Sequence, residues 1–240
     1  MVHGGRRPRS GLRRGRWSGR TAMEKPLRLR KTPSVASRPY HSRMPVTDIQ
    51  ARIRALLADR RARLDAALAS IDADPDSVVR LLEAVDATVR RGGTILTCGN
   101  GGSAAEALHL AEELIGRYRG DRPPIRSMCL NADPTALTCI ANDFGFEAIF
   151  ARQVEAMATD LDALVIFSTS GRSPNLLAAL EAARDRNATT IGFLGGDGGE
   201  ARALCDVSVV VGGRDSAAIQ EVHQFLMHAC CEQFETDSNT

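Results

Sequence analysis

From Thr94 onward the chain alternates short apolar runs with longer stretches of helical periodicity. TILTC (94–98), RSMCL (126–130), ALVIFS (163–168), TTIGFL (189–194) and DVSVVV (206–211) have the length of buried strands, and each is followed by a helix-like stretch. This pattern predicts βαβ units: an α/β fold with a largely parallel sheet and helices on both faces. Two helices are expected before the first strand. Ile53, Leu56, Leu57, Leu64 and Leu68 recur at helical spacing from Asp48 to about Ser70, and Asp76 or Ser77 is expected to cap a second helix ending at Gly92-Gly93. In such a fold ligands belong at the carboxyl ends of the strands.

Charge divides the chain. Of its 31 Lys and Arg, 13 fall in residues 1–43 beside the single acid Glu24, which leaves 18 bases against 28 acids in the remainder. An acidic body does not suit nucleic-acid binding by the folded domain, because phosphate backbones are gripped by Lys and Arg. The leader is rich in Arg, Gly, Pro and Ser without apolar periodicity, so residues 1–43 are expected to be a disordered basic extension, with translation starting at Met44 and the domain occupying 44–240. No run has the length or apolar character of a membrane span, and a cytoplasmic protein is expected. The six cysteines lack CxxC spacing and lie in apolar stretches, which predicts buried free thiols in a reducing compartment.

Two loops at predicted strand ends carry chemistry. The first strand runs into CGNGGSAAEALHLAEE (98–113) and the third into STSGRSPN (168–175). Both are small, hydroxyl-bearing loops that open a helix, where free backbone N–H groups and the helix dipole favour an anion such as phosphate. The first lacks the Lys of a nucleotide loop and the spacing of a dinucleotide fingerprint. His109 and Glu113, four residues apart on the helix it opens, share a face about two turns from the loop. The last helix carries Gln220, Glu221, His223 and His228. Seven-residue spacing pairs Glu221 with His228, while Gln220 lies about 80° from His228 around the axis, so spacing leaves both open.

The segments CGNGGSAAEALHLAEELIGRYR, ANDFGFEAIFARQVEA, STSGRSPN and IQEVHQFLMH, in this order, resemble the phosphoheptose isomerases of the sugar isomerase (SIS) domain family, from about Met44 to Phe234. The resemblance implies a three-layer sandwich with a five-stranded parallel sheet, a homotetramer, and interconversion of sedoheptulose 7-phosphate with glycero-manno-heptose 7-phosphate for nucleotide-activated heptose synthesis. It implies Glu113 as general base, His228 as its acid/base partner, and zinc held by His109, Glu113, Gln220 and His228. It further implies a substrate loop of Asn100, Gly101, Gly102 and Ser103 joined by Asn142 and Asp143. Ser168, Thr169, Ser170 and Ser173 would hold the phosphate, and Arg117 would reach substrate or a neighbouring subunit. The family often carries Arg just before the IQE run, where Ala218 stands here. Relatives that act by partner binding, as beside a replication initiator, or by sugar-phosphate sensing, are the alternative; the former typically lack the residues corresponding to Glu113 and His228.

Overall fold

The computed structural model describes residues 46–235, and the basic extension expected over 1–43 lies outside them. Two helices, α1 (Val46–Asp72) and α2 (Pro75–Arg90), precede strand β1 (Ile95–Gly99). There follow α3 (Gly102–Ile115), β2 (Ser127–Cys129), α4 (Pro134–Phe144), a 3₁₀ turn (Phe146–Ala148), α5 (Ala151–Met157) and β3 (Ala163–Ser168). The chain continues through α6 (Pro174–Asp185), β4 (Thr189–Gly195), α7 (Ala201–Leu204), β5 (Val207–Val211) and α8 (Ser216–Glu232). All five strands are parallel, in the order β2-β1-β3-β4-β5. Among the described residues no helix is long and apolar enough to cross a membrane.

The period of two along the strands sends alternate side chains to two cores. Ile95, Val165, Phe167, Ile191 and Phe193 pack with α1, α2, α3 and α8, while Leu96, Cys98, Leu164, Ile166 and Leu194 pack with α5, α6 and α7. Strands β1 and β3 are buried along their whole length, so both faces must be apolar, and the period-two signal of a half-exposed strand is absent from them. The Phe167 and Phe193 rings stack 4.5 Å apart across β3 and β4.

Two local expectations are corrected. The cap of α2 is Asp74, whose carboxylate accepts from Ser77 N–H at 3.2 Å, while Pro75 occupies the first turn; Asp76 and Ser77 lie inside the helix. The expected end stands: Gly92, at φ +78°, and Gly93 donate to the carbonyls of Val89 and Thr88 and close α2. Of the cysteines, Cys98, Cys129, Cys230 and Cys231 are buried as free thiols, but Cys205 is half-buried and Cys139 is exposed, because α4 buries no residue fully. Along α1 only the second half joins the core, through Ala67 with Leu64, Leu68 and Ile71, and the stripe Ile49, Ile53, Leu56 and Leu57 is exposed.

Helix α8 is held to α1 by charge. Asp215 caps it, accepting from Ala217 and Ala218 N–H at 3.0 and 3.3 Å, and also pairs with Arg63 at 2.8 Å. Arg63 first, then the Ala218 N–H, hold the Asp215 carboxyl below the usual carboxylate range. A depressed carboxylate contributes stability that is fully present above its unfolded pKa and is lost as pH falls through the folded value. Asp215→Asn is therefore expected to lower the melting temperature at pH 7. Circular-dichroism melts should show the gap from the parent closing as the pH drops below the carboxylate range.

Candidate active site

The chain leaves β1 toward β2 on one side and returns to β3 on the other, so the direction in which strands are added reverses between β1 and β3. A crevice forms at such a reversal, outside the carboxyl ends of the strands. The two loops singled out in the sequence are the ones that end β1 and β3. They are tied together by a reciprocal amide pair: Asn100 Nδ2 donates to Asn175 Oδ1 and Asn175 Nδ2 to Asn100 Oδ1, each at 2.9 Å. Asn131, after β2, braces the first loop by accepting from Gly99 N–H (3.2 Å) and donating to Gly99 C=O (3.0 Å). Neither Asn131 nor Asn175 is marked by spacing or residue type in the sequence as carrying a role here.

Helices α2, α4 and α8 begin with aspartates whose carboxylates bond the first-turn N–H groups. The two helices that open from the crevice differ. α3 begins at Gly101 (φ +59°) and α6 at Ser173, and neither makes a side-chain cap bond. Their helix dipoles are not met by a carboxylate at the cap, which suits an anionic ligand. In the loop after β3, Ser168 Oγ accepts from Gly171 N–H at 3.0 Å and Ser170 Oγ from Arg172 N–H at 3.3 Å, while the Thr169 and Ser173 hydroxyls are unpartnered among the described residues. Gly171, at φ +63°, sits where a Cβ would lie 1.9 Å from Gly198 C=O, so this loop interlocks with the GGDGG loop after β4. Arg172 strengthens the join by pairing with Asp197 at 2.6 Å.

Along α3 from the first loop, His109 Nε2 and Glu113 Oε1 are 3.1 Å apart. His228 of α8 completes the group, its ring edge-on to that of His109 with centroids 5.3 Å apart, and the Tyr118 ring lies tilted to it with centroids 5.3 Å apart. Burial, and then the nearby His109, hold the His228 imidazole below its usual value, which favours the neutral ring at pH 7. His109, Glu113 and His228 each offer one ligand atom, and these atoms all lie within 4.8 Å of one another. Two imidazole nitrogens and a carboxylate oxygen are a donor set that suits Zn²⁺.

The other expected residues divide. The Gln220 amide lies against Gly102, where a Cβ would come within 2.5 Å of Gln220 Nε2. Gln220 is thus at the first loop, eight residues and about 12 Å along the helix axis from His228. The amide beside the histidines is that of Gln224, which sequence reasoning passed over although it stands four residues before His228. Glu221 turns to α1 and pairs with Arg60. His223 is fully buried, with Nε2 donating to Leu194 C=O at 3.0 Å and Nδ1 facing Glu106 at 3.7 Å. Ser103 is buried in the first turn of α3. Arg117 is exposed just past α3 and makes no hydrogen bond or ion pair among the described residues. A cavity of about 300 Å³ beside the first loop is lined by Asn100, Gly101, Asn131 and Ala141. Asn142 and Asp143 follow on α4, exposed and bonded to each other at 2.7 Å, outside that lining.

Comparison with known proteins gives the same assignment. The family model for the SIS domain matches residues 61–195. A phosphoheptose isomerase of Bradyrhizobium sp. is 44% identical over 183 residues, covering 75% of this chain and 92% of that protein. The solved phosphoheptose isomerase of Neisseria gonorrhoeae aligns with a TM-score of 0.70 at 36% identity, over 78% of this chain and 99% of that one. The enzyme from Francisella tularensis aligns at 0.71 with 31% identity, over 79% and 97%. With this sequence, this sheet order and this pair of loops, the chain belongs to the phosphoheptose isomerases of the SIS-domain family.

Proposed function

We propose that this protein is an aldose–ketose isomerase that interconverts D-sedoheptulose 7-phosphate and D-glycero-D-manno-heptose 7-phosphate in the cytoplasm, feeding nucleotide-activated heptose synthesis. The observation that carries the reading is the meeting of Glu113, on the helix that leaves a phosphate-type loop, with His228 of α8 in one cluster. Binding or sensing needs the loops but no acid/base pair.

In the reaction, the Glu113 carboxylate takes the proton from the hydroxyl-bearing carbon next to the carbonyl and returns it to the adjacent carbon, through an enediol. His228, neutral at pH 7, gives a proton to one of the two sugar oxygens and receives one from the other, so no proton is gained or lost over the cycle. Ser168, Thr169, Ser170 and Ser173 with the α6 N-terminus hold the phosphate, and that remote grip orients the reacting end. Asn100, Gly101, Gly102, Ser103, Asn142, Asp143, Arg117 and Gln220 contact the sugar. The Asn100 side chain is engaged by Asn175, so Asn100 serves chiefly by shaping the loop.

His109, Glu113 and His228 are the residues that would hold zinc. Gln220 joins them from a second subunit, because its own chain seats its amide against Gly102. A bound zinc supplies Lewis-acid stabilisation of charge on the sugar oxygens. A homotetramer is supported by apolar surface that a monomer leaves open: the α1 stripe, and Leu108, Ile115 and Met128 (48%, 51% and 47% exposed) along the β2 edge.

Incubation with sedoheptulose 7-phosphate, followed by proton NMR, is expected to show the anomeric signal of an aldoheptose 7-phosphate, and a chelator is expected to reduce its rate of appearance. Absence of aldose, with ketose phosphate still raising the melting temperature, would make the protein a binding module on this fold.

A further inference from the structure

Arg122 lies in the segment between α3 and β2, yet its side chain is only 6% exposed. A guanidinium cannot shed its charge, so a buried one must find acceptors for its N–H groups. Here it finds four: Nη2 donates to Glu113 C=O at 2.7 Å, Nη1 to Leu114 C=O at 3.0 Å and Pro123 C=O at 3.1 Å, and Nε to Glu235 Oε1 at 3.3 Å. The other Glu235 oxygen accepts from Gly120 N–H.

The last carbonyls of a helix have no partner within it. α3 ends without the left-handed glycine that closes α2: Gly116 is at φ −79°, and its N–H serves only Glu112 C=O. The Glu113 carbonyl therefore falls to Arg122, and the Leu114 carbonyl is shared between Arg122 and Ile125 N–H. Glu113 stands in the last turn of α3, where helices fray. Glu235 lies seven residues after His228, just past the end of α8. One guanidinium thus ties the backbone that carries Glu113 to the chain that leaves α8.

We propose that Arg122 is a positioning residue: it holds the last turn of α3 and so sets where the Glu113 carboxylate stands relative to His228. The role rests on the reading of Glu113 as the base. A base must come within hydrogen-bond reach of the proton it takes, and misplacement by about 1 Å costs about 100-fold in rate. The proposed phosphate grip, between β3 and α6, does not pass through Arg122, so binding and turnover should respond differently.

The rival role is a structural strut, which would lower the melting temperature and leave kcat per folded molecule unchanged. Arg122→Lys keeps a positive charge beside Glu235, but a single ammonium cannot reproduce the planar fork that spans two carbonyls and a carboxylate. Assayed with sedoheptulose 7-phosphate at saturating zinc, it is expected to lower kcat at least about 10-fold, with KM within about threefold of the parent. Arg122→Ala is expected to lose more. Added guanidinium ion should restore part of its kcat, while urea, similar in shape but uncharged, should restore none; where Arg122→Ala does not fold, Arg122→Lys decides alone. An Arg122→Lys protein with kcat within about twofold of the parent, or with affinity lost as far as kcat, would overturn the proposal. A folded Arg122→Ala protein that guanidinium does not repair would do the same. A parent that yields no aldose would overturn the proposed function and this role with it, whereas an active parent with an unimpaired Arg122→Lys overturns this role alone.

Discussion

Glu113→Gln is expected to lower kcat about 10³-fold while the protein still binds ketose phosphate with an affinity within a few-fold of the parent. Glu113 is on the last turn of α3, its side chain 14% exposed, with one carboxylate oxygen facing His109 Nε2. Glutamine keeps that shape and an acceptor oxygen but has no basicity with which to take a proton from carbon. The proposed phosphate loop lies between β3 and α6, outside the change, so binding energy from the remote end is expected to be retained. Because Glu113 belongs to the proposed donor set for zinc, the zinc content of each preparation must be measured as well. A variant that keeps zinc and loses turnover isolates the base; a variant that keeps turnover removes Glu113 from the mechanism.

Glu106→Leu is expected to cost about 3 kcal/mol of stability, a fall of about 6–12 °C in melting temperature, even though Glu106 is assigned no contact with substrate. His223 is fully buried and Glu106 is 5% exposed. The Leu194 carbonyl can only accept, so His223 Nε2 must carry a proton. Nδ1 and Glu106 Oε2 then face each other at 3.7 Å with no other hydrogen-bond partner. At that distance the two polar atoms face each other beyond hydrogen-bond length, and the pair joins α3 to α8 beneath the crevice. Leucine removes the polar atom that faces Nδ1 and leaves the imidazole in an apolar setting beside the stacked Phe167 and Phe193 rings. Glu106→Gln, whose amide can donate to Nδ1, is expected to recover most of the loss. Equal melting temperatures for the parent and Glu106→Leu would show that this pair does not hold the helices together.

Much of the architecture was legible along the chain, and the reason is local. Buried parallel strands must be apolar on both faces, so ALVIFS appears as an uninterrupted run and coincides with β3, and the other four runs fall within a residue of their strands. The loops were equally visible, since a helix opening without a carboxylate cap needs small residues such as Gly101, Gly102 and Ser173. The cap of α2 was misread by two or three positions because Asp74, Asp76 and Ser77 all have side chains suited to capping, and it is Pro75, favoured at the first helical position, that selects Asp74.

The i,i+4 pairing of His109 with Glu113 follows from helical pitch and needed nothing beyond the sequence. Which face of α8 would meet that pair depended on how two helices some hundred residues apart are laid on one sheet face. That packing turned Glu221 to Arg60, buried His223 against Glu106, seated Gln220 on Gly102, and left Gln224 and His228 beside His109. Periodicity specifies angles around one helix axis. The distance and rotation between two axes come from side chains interdigitating in a shared core, and the identity of the residues that meet at the reacting centre was settled there.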